Sequence, residues 1–191
     1  MPVYRHNIQT FPNPPKRFLF IHIPRTAGRF LESNIFLNGF RWEDPLIPPL
    51  DGDGNSVELQ HLAQGEYERY YNVNNIPHFT IVRNPVDRFI SASIFLKRMY
   101  GDDIQEAMED PMMFFSMLEN FPLSESVNWY RPQIDFITDE TNIWKFENGF
   151  GKDFEEFLSE VLDMEFKVKD VPYSKLDTDE TKKLEKTAKL I

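Results

Sequence analysis

The chain alternates short apolar runs with segments whose apolar residues recur at helical spacing. Three apolar runs predict β-strands, at residues 18–23, 79–83 and 142–146. A helical pattern follows the first run from Thr26 to about residue 38, and another follows the second from Pro85 to about Gly101. Strands that alternate with helices predict an α/β domain with a mainly parallel sheet.

The rest of the chain divides into weaker patterns. Apolar spacing predicts helices over residues 57–72, 102–121 and 154–162, and charge order predicts a terminal helix over 178–191. Residues 1–17 are polar and proline-bearing, which predicts an irregular lead-in, and residues 41–56 and 122–141 predict loops. Residues 51–56 resemble a calcium loop but lack its glycine and its glutamate, so we interpret them as a turn.

Composition narrows the class of protein. The 191 residues, with 18 Phe, fit one domain with an aromatic core. The chain has no cysteine, which excludes a disulfide scaffold, a cysteine-ligated zinc site and a thiol nucleophile. No signal peptide or membrane-length apolar run is visible, so we expect a cytoplasmic protein without membrane insertion. Nothing in the sequence predicts the oligomeric state.

The net charge of −10 is unevenly distributed. Residues 1–41 carry six Lys or Arg and one Asp or Glu, whereas residues 101–191 carry ten and twenty-two. An acidic protein is a poor nucleic-acid binder, so we expect no nucleic-acid partner. The basic first segment fits a local anion site on an otherwise acidic surface.

The turn after the first predicted strand has the features of an anion site. It lies where ligands bind in an open parallel sheet, and the backbone N–H groups of residues 25–29 would be the unpaired donors of a helix N-terminus. Arg25 and Arg29 add two positive charges. We therefore predict that this turn binds a phosphate or sulfate group.

The second predicted strand ends in a similar way. Arg83 stands at its end, and Ser91 follows two turns into the next helix, for which Asn84 suits the N-cap and Pro85 the first position. A guanidinium and a hydroxyl suit a second phosphate. Two anion sites on neighbouring strand ends predict a ligand with two separate anionic groups.

A nucleoside-triphosphate hydrolase fits the sequence less well. The loop G-x-x-x-x-G-K-[ST] is missing, and the second strand ends in Arg83 rather than in an acidic residue that could hold magnesium. A small-molecule kinase on the same architecture stays open as the alternative, and a magnesium requirement would distinguish it.

Two motifs resemble those of the carbohydrate sulfotransferases. Residues 21–28, I-H-I-P-R-T-A-G, are similar to their 5′-phosphosulfate loop, whose usual form is I-H-I-P-K-T-A-G. Residues 83–91 are similar to their 3′-phosphate motif, R-[DN]-P-x-x-R-x-x-S. Order and spacing hold over roughly residues 18–162, and the resemblance is strongest to the group that includes heparan sulfate 2-O-sulfotransferases.

This resemblance implies a P-loop NTPase-like three-layer fold with a mainly parallel central sheet flanked by helices, as a single domain over residues 1–191. It implies 3′-phosphoadenosine 5′-phosphosulfate as donor, 3′-phosphoadenosine 5′-phosphate as product, no metal, and a carbohydrate or other hydroxylated acceptor. The donor-binding residues that it implies are Arg25, Thr26, Ala27, Gly28, Arg29, Phe30, Arg83 and Ser91.

The resemblance also implies a base and acceptor contacts. His61 lies in Q-H-L, where the family has a G-H-[LF] segment with its catalytic histidine, and imidazole titrates near neutral pH. Residues 131–136 resemble a P-Q-x-x-[FWY] segment, which gives Arg131 and Gln133 as acceptor-binding residues. Residues 145–148 resemble an R-[FY]-E-N segment, in which Glu147 has a loop-orienting or a structural role.

One position departs from the family pattern. Arg25 stands where the family has a lysine, and an arginine stays charged, so it stabilises a leaving group without acting as an acid. We expect Arg25 to be catalytic in this electrostatic sense. A slow enzyme, or an inactive module that only binds the nucleotide, stays open as a further alternative.

Overall fold

The structure is a computed structural model, and it describes residues 3–7, 16–43, 59–64, 66, 73, 75–100 and 129–171. Its helices and strands are β1 (Val3–His6), β2 (Arg17–Ile21), α1 (Gly28–Leu37), β3 (Phe40–Trp42), β4 (His78–Val82), α2 (Pro85–Tyr100), β5 (Thr141–Lys145) and α3 (Lys152–Leu162). The short 3₁₀ turns are Leu59–His61, Gln133–Phe136 and Phe146–Asn148. The helices predicted at 102–121 and 178–191, and the calcium-like turn, lie outside the described residues.

Five strands form one sheet in the order β3-β1-β2-β4-β5. The three strands that the sequence predicts, β2, β4 and β5, are parallel, with Ile21 opposite Thr80 and Val82 opposite Lys145. β1 pairs antiparallel with both β2 and β3. The α/β class is therefore confirmed, but the sheet is mixed rather than mainly parallel.

The two antiparallel strands correct the prediction for the first part of the chain. β1 lies in the segment predicted as an irregular lead-in, and β3 follows α1 where a loop was predicted to begin. Both strands are short, with four and three residues, and each carries an exposed arginine, Arg5 or Arg41. Neither segment has a long apolar pattern of its own, so it is the pairing with neighbouring strands that stabilises each as a strand.

Both faces of the sheet are covered. On one face, Phe18 and Phe20 of β2 join Phe79 of β4 in a core with the buried sides of α1 and α3. On the other face, Leu19 and Ile21 pack in a second cluster, whose remaining buried members are Val3, Ile23, Leu62, Ala63, Val73 and Phe136. Leu62 and Ala63 pack in this second cluster, and the adjacent His61 therefore lies beside the carboxyl end of β2.

The helix boundaries follow local signals. α2 begins at Pro85, and the Asn84 side-chain oxygen accepts hydrogen bonds from the backbone N–H groups of Val86 (2.9 Å) and Asp87 (3.3 Å), so the predicted cap is confirmed. Of the helix predicted at 57–72, the described residues show the turn Leu59–His61. Within the described ranges, no helix is both long and apolar enough to cross a bilayer.

Candidate active site

The loop between β2 and α1 has a constrained backbone. Arg25 (φ 69°) and Ala27 (φ 74°) both lie in the left-handed region, which costs energy for residues other than glycine. Thr26 is fully buried, and its hydroxyl donates to the carbonyl of Ile23 at 2.8 Å. The predicted donor-binding hydroxyl of Thr26 therefore holds the loop in shape.

Gly28 is the first residue of α1, and its missing side chain leaves room for His22. A Cβ at position 28 would lie 1.6 Å from Nε2 of His22, so any other residue would displace that buried ring. Donor binding at Gly28 remains a prediction. The structure gives the glycine a second reason, which is the packing of His22.

Arg25 and Arg83 lie together at the carboxyl ends of β2 and β4. Nη1 of Arg83 is 3.4 Å from the Arg25 carbonyl oxygen, and Nε of Arg25 donates to Ser91 Oγ at 3.2 Å. Each guanidinium also covers an aromatic ring at 4.5 Å from its centroid, Arg25 over Phe95 and Arg83 over Phe146. The residues predicted for the two anion sites are thus in contact with each other.

Neither guanidinium is within ion-pair distance of a carboxylate among the described residues. Burial, followed by the positive charges of Arg83 and Arg29, lowers the pKa of Arg25 to about 10. Burial lowers the pKa of Arg83 as well, against the raising effect of Asp87 and Glu147. Nε of Arg83 is buried and has no hydrogen-bond partner in the described part of the chain. Both groups are therefore suited to an anion that supplies the missing charge.

Arg29 and Phe30 occupy the first turn of α1. Arg29 is exposed, and Phe30 packs its ring on Phe150 at 5.0 Å between centroids. Glu147 accepts a hydrogen bond from the backbone N–H of Asn84 at 2.5 Å. Glu147 therefore orients the loop that follows β4, as one of its two predicted roles requires.

His61 ends a 3₁₀ turn beside the same loop. Its Nδ1 is 3.1 Å from the His22 carbonyl oxygen, which can only accept, so Nδ1 carries the proton and the lone pair is on Nε2. Burial, together with the charge that His22 would carry, lowers the pKa of His61 to about 3. His61 is therefore neutral near pH 7, the form that a general base needs.

Two further arginines at this edge are engaged by the protein itself. Arg88 is buried and donates to the carbonyls of Pro24 (2.9 Å), Arg131 (2.8 Å) and Trp129 (2.9 Å). It ties the loop after β2 to the segment before the turn Gln133–Phe136. This role is not predictable from the sequence, because backbone carbonyl acceptors leave no mark in the residue pattern.

Arg131 donates to Glu66 at 2.7 Å and to Asp135 at 3.3 Å, and these carboxylates raise its pKa although its partial burial lowers it. Gln133 donates to the Arg83 carbonyl at 2.7 Å and accepts from the Arg83 N–H at 2.9 Å. Both residues were predicted to bind acceptor. In the structure their polar groups hold the site together, and acceptor binding by either residue stays a prediction.

A comparison with protein families matches residues 9–168 to the Sulfotransferase family. The chain belongs to the sulfotransferase family. No curated protein and no solved structure matches it.

The residues of the two sulfotransferase-like motifs lie close together at one edge of the sheet. The loop after β2, the end of β4, Ser91 and His61 lie at the same edge of the sheet, whereas Phe30 and Thr26 are engaged in packing and in the loop itself. In the described part of the sulfotransferase, no three His, Asp or Glu side chains cluster as metal ligands do.

Proposed function

We propose that this sulfotransferase transfers a sulfuryl group from 3′-phosphoadenosine 5′-phosphosulfate to a hydroxyl of a carbohydrate or other small acceptor. The observation that carries the proposal is the pair Arg25 and Arg83. Both side chains are half-buried, the Arg83 guanidinium lies against the Arg25 carbonyl, and neither guanidinium is within ion-pair distance of a carboxylate among the described residues. Such groups favour an anionic ligand strongly.

The residues at this edge fit a donor with two anionic ends. Arg25 and the backbone N–H groups at the start of α1 would hold the phosphosulfate end, with Arg29 as a further positive charge. Arg83 would hold the 3′-phosphate together with Ser91, whose hydroxyl is bonded to Arg25. The donor would supply the sulfuryl group and keep the electron pair of the broken S–O bond as it leaves.

His61 is the residue that would remove the acceptor proton. Its Nδ1–H is fixed on the His22 carbonyl, so the proton from the acceptor hydroxyl goes to Nε2 as the oxygen forms its bond to sulfur. The low pKa of His61 makes the resting ring a weak base. A bound phosphosulfate brings negative charge near the ring and would raise that pKa toward the useful range.

Arg25 would stabilise the charge that develops on the leaving phosphate. It keeps its own proton, so its contribution is electrostatic and by hydrogen bonding. We expect the acceptor to be neutral or short, because residues 101–191 are strongly acidic and would repel a highly sulfated chain.

The test is transfer without a metal. The protein is incubated with the donor, excess EDTA and a panel of neutral oligosaccharides and phenols. Mass spectrometry then follows the product as a gain of about 80 Da, the mass added when a sulfuryl group replaces the hydroxyl proton. We expect transfer by the wild type and at least about a hundredfold slower transfer by His61→Ala.

Parallel reactions with ATP and magnesium test the kinase alternative. Phosphorylated product from ATP, with no sulfated product from the donor, would overturn the proposal in favour of a kinase. Tight binding of the donor without transfer to any acceptor, combined with transfer by Arg25→Lys, would identify an inactivated enzyme instead.

A further inference from the structure

Glu32 is a buried carboxylate that the proposed chemistry does not use. It lies on α1 with 9% of its surface exposed, and it is the only acidic residue among the buried polar groups of the described chain. Burying a carboxylate is strongly unfavourable unless other groups compensate for the lost water. The side chains around Glu32 therefore indicate the role of its charge.

Three side chains surround this carboxylate. Oε1 of Glu32 accepts hydrogen bonds from the Tyr4 hydroxyl (3.2 Å) and from Nε2 of Gln60 (3.1 Å), and it lies 3.7 Å from Nδ1 of His22. Burial alone would raise the pKa of Glu32, but His22, Gln60 and Tyr4 together hold the pKa below its usual value. Glu32 is therefore ionised.

Two of these neighbours lead directly to His61. Gln60 precedes His61 in the same 3₁₀ turn, so its bond to Glu32 fixes that turn against α1. His22 accepts the Nδ1–H of His61 through its carbonyl, and the two rings meet edge to face at 4.5 Å between centroids. Glu32 thus restrains both the turn that carries His61 and the residue that fixes its tautomer.

We propose that Glu32 is a positioning residue that holds the His61 ring with Nε2 toward the reacting hydroxyl, acting through Gln60 and His22. The inference rests on the proposed function, because it assumes that His61 is the base. It adds that α1 orients the base as well as contributing its N-terminus to the donor site.

Two variants separate this role from a merely structural one. Glu32→Gln keeps the size and the acceptor oxygen but removes the charge, and Gln60→Leu breaks the link to the turn while Glu32 stays. Glu43→Gln is the matched control, because Glu43 is a partly buried carboxylate that accepts from Arg17 at 2.6 Å at the opposite end of β2.

The first readout is the histidine side-chain nitrogen spectrum by NMR, which reports the tautomer without any substrate. We expect His61 to be a pure Nδ1–H tautomer in the wild type and in Glu43→Gln, and a mixture of tautomers in both test variants. Unchanged His61 signals in Glu32→Gln and in Gln60→Leu would overturn the proposal. If Glu32→Gln does not fold, the Gln60→Leu spectrum decides alone.

The second readout distinguishes this inference from the proposed function. We expect both test variants to bind 3′-phosphoadenosine 5′-phosphate within about twofold of the wild type, and to lower kcat about tenfold with an unchanged KM for the donor. A loss of nucleotide affinity with unchanged kcat would place Glu32 in the donor site and contradict the positioning role. If even the wild type fails to bind the nucleotide, the proposed function fails, whereas the NMR result still tests the link from Glu32 to His61.

Discussion

Four arginines at one edge of the sheet form two pairs with opposite environments. Arg88 and Arg131 are engaged by the protein, through three backbone carbonyls in one case and two carboxylates in the other. Arg25 and Arg83 lie over aromatic rings and meet no carboxylate in the described part of the structure. An arginine whose N–H groups are taken up by the protein supports the fold, whereas one with few such bonds and no carboxylate at ion-pair distance is available to a ligand.

The comparison distinguishes two arginines that belong to one sequence motif but have different environments. Arg83 and Arg88 belong to the same R-[DN]-P-x-x-R pattern, five residues apart; Arg88 is buried near the start of α2, and Arg83, just before that helix, is partly buried. Arg88 reaches across to Pro24, Trp129 and Arg131, whereas Arg83 keeps a buried N–H group, Nε, that has no hydrogen-bond partner among the described residues. The predictions below break or sharpen this distinction, from the largest expected effect to the smallest.

Arg88→Met should destabilise the protein most. It leaves one buried and two partly buried carbonyls without their donor, which we expect to cost about 3 to 5 kcal/mol of unfolding free energy. Urea denaturation followed by circular dichroism measures the change. Arg5→Met is the control, since Arg5 is an exposed residue of β1, and it should stay within about 0.5 kcal/mol of the wild type. A stable Arg88→Met variant would place Arg88 with the ligand-binding pair.

Arg25→Met should leave folding intact but slow transfer. Removing the charge beside the leaving phosphate should lower kcat by about 10²-fold to 10³-fold, because electrostatic groups of this kind contribute that much. Steady-state rates with the acceptor found in the screen give the value. Arg25→Lys should keep or raise the rate, since a lysine supplies the charge and also a proton. Full activity in Arg25→Met would show that this guanidinium is not at the reacting centre.

Gln133→Ala should behave as the loss of a support. Its amide makes two hydrogen bonds to the backbone of Arg83, so we expect a loss of about 1 to 3 kcal/mol in stability and a modest fall in nucleotide affinity. The KM for acceptor should not change. A raised acceptor KM at wild-type stability would instead support the acceptor-binding role that the sequence predicts for Gln133.

Phe146→Leu should have the smallest effect. The Arg83 guanidinium lies 4.5 Å from the centre of the Phe146 ring, and losing this cation–π contact should weaken nucleotide binding by about 0.5 to 1 kcal/mol. Calorimetric titration can resolve a change of two- to fivefold. Phe157→Leu, on α3 and packed against Trp144, is the matched aromatic control and should leave the affinity unchanged.

The sequence predicted what local patterns determine. The three parallel strands, the start of α2 and the Asn84 cap follow from apolar runs and from side chains that bond their own neighbours. β1 and β3 were missed because their pairing is with distant residues and their own patterns are short. Local sequence patterns therefore predicted the main strands and helices better than they predicted which strands pair.

The sequence motifs predicted which residues lie at the site, but they did not predict which of those residues bond to other parts of the protein. Residue type and spacing predict Arg25, Arg83 and Ser91, the family resemblance adds His61, and the structure brings the four residues to one edge. Asp135 is a local partner of Arg131, four residues along the chain, but Glu66 and Arg83, which bond to Arg131 and Gln133 respectively, lie in distant segments that no local rule joins to them. The burial of Glu32 likewise depends on Tyr4, 28 residues away.

The most direct test of the central claim is calorimetric titration with 3′-phosphoadenosine 5′-phosphate in the absence of magnesium. We expect the wild type and Arg5→Ala to bind equally, and Arg83→Ala to bind about a hundredfold more weakly, or about 2.7 kcal/mol, while keeping its unfolding free energy. Equal binding by Arg83→Ala and the wild type, or no binding by the wild type, would contradict the claim that this pair of arginines is an anion site.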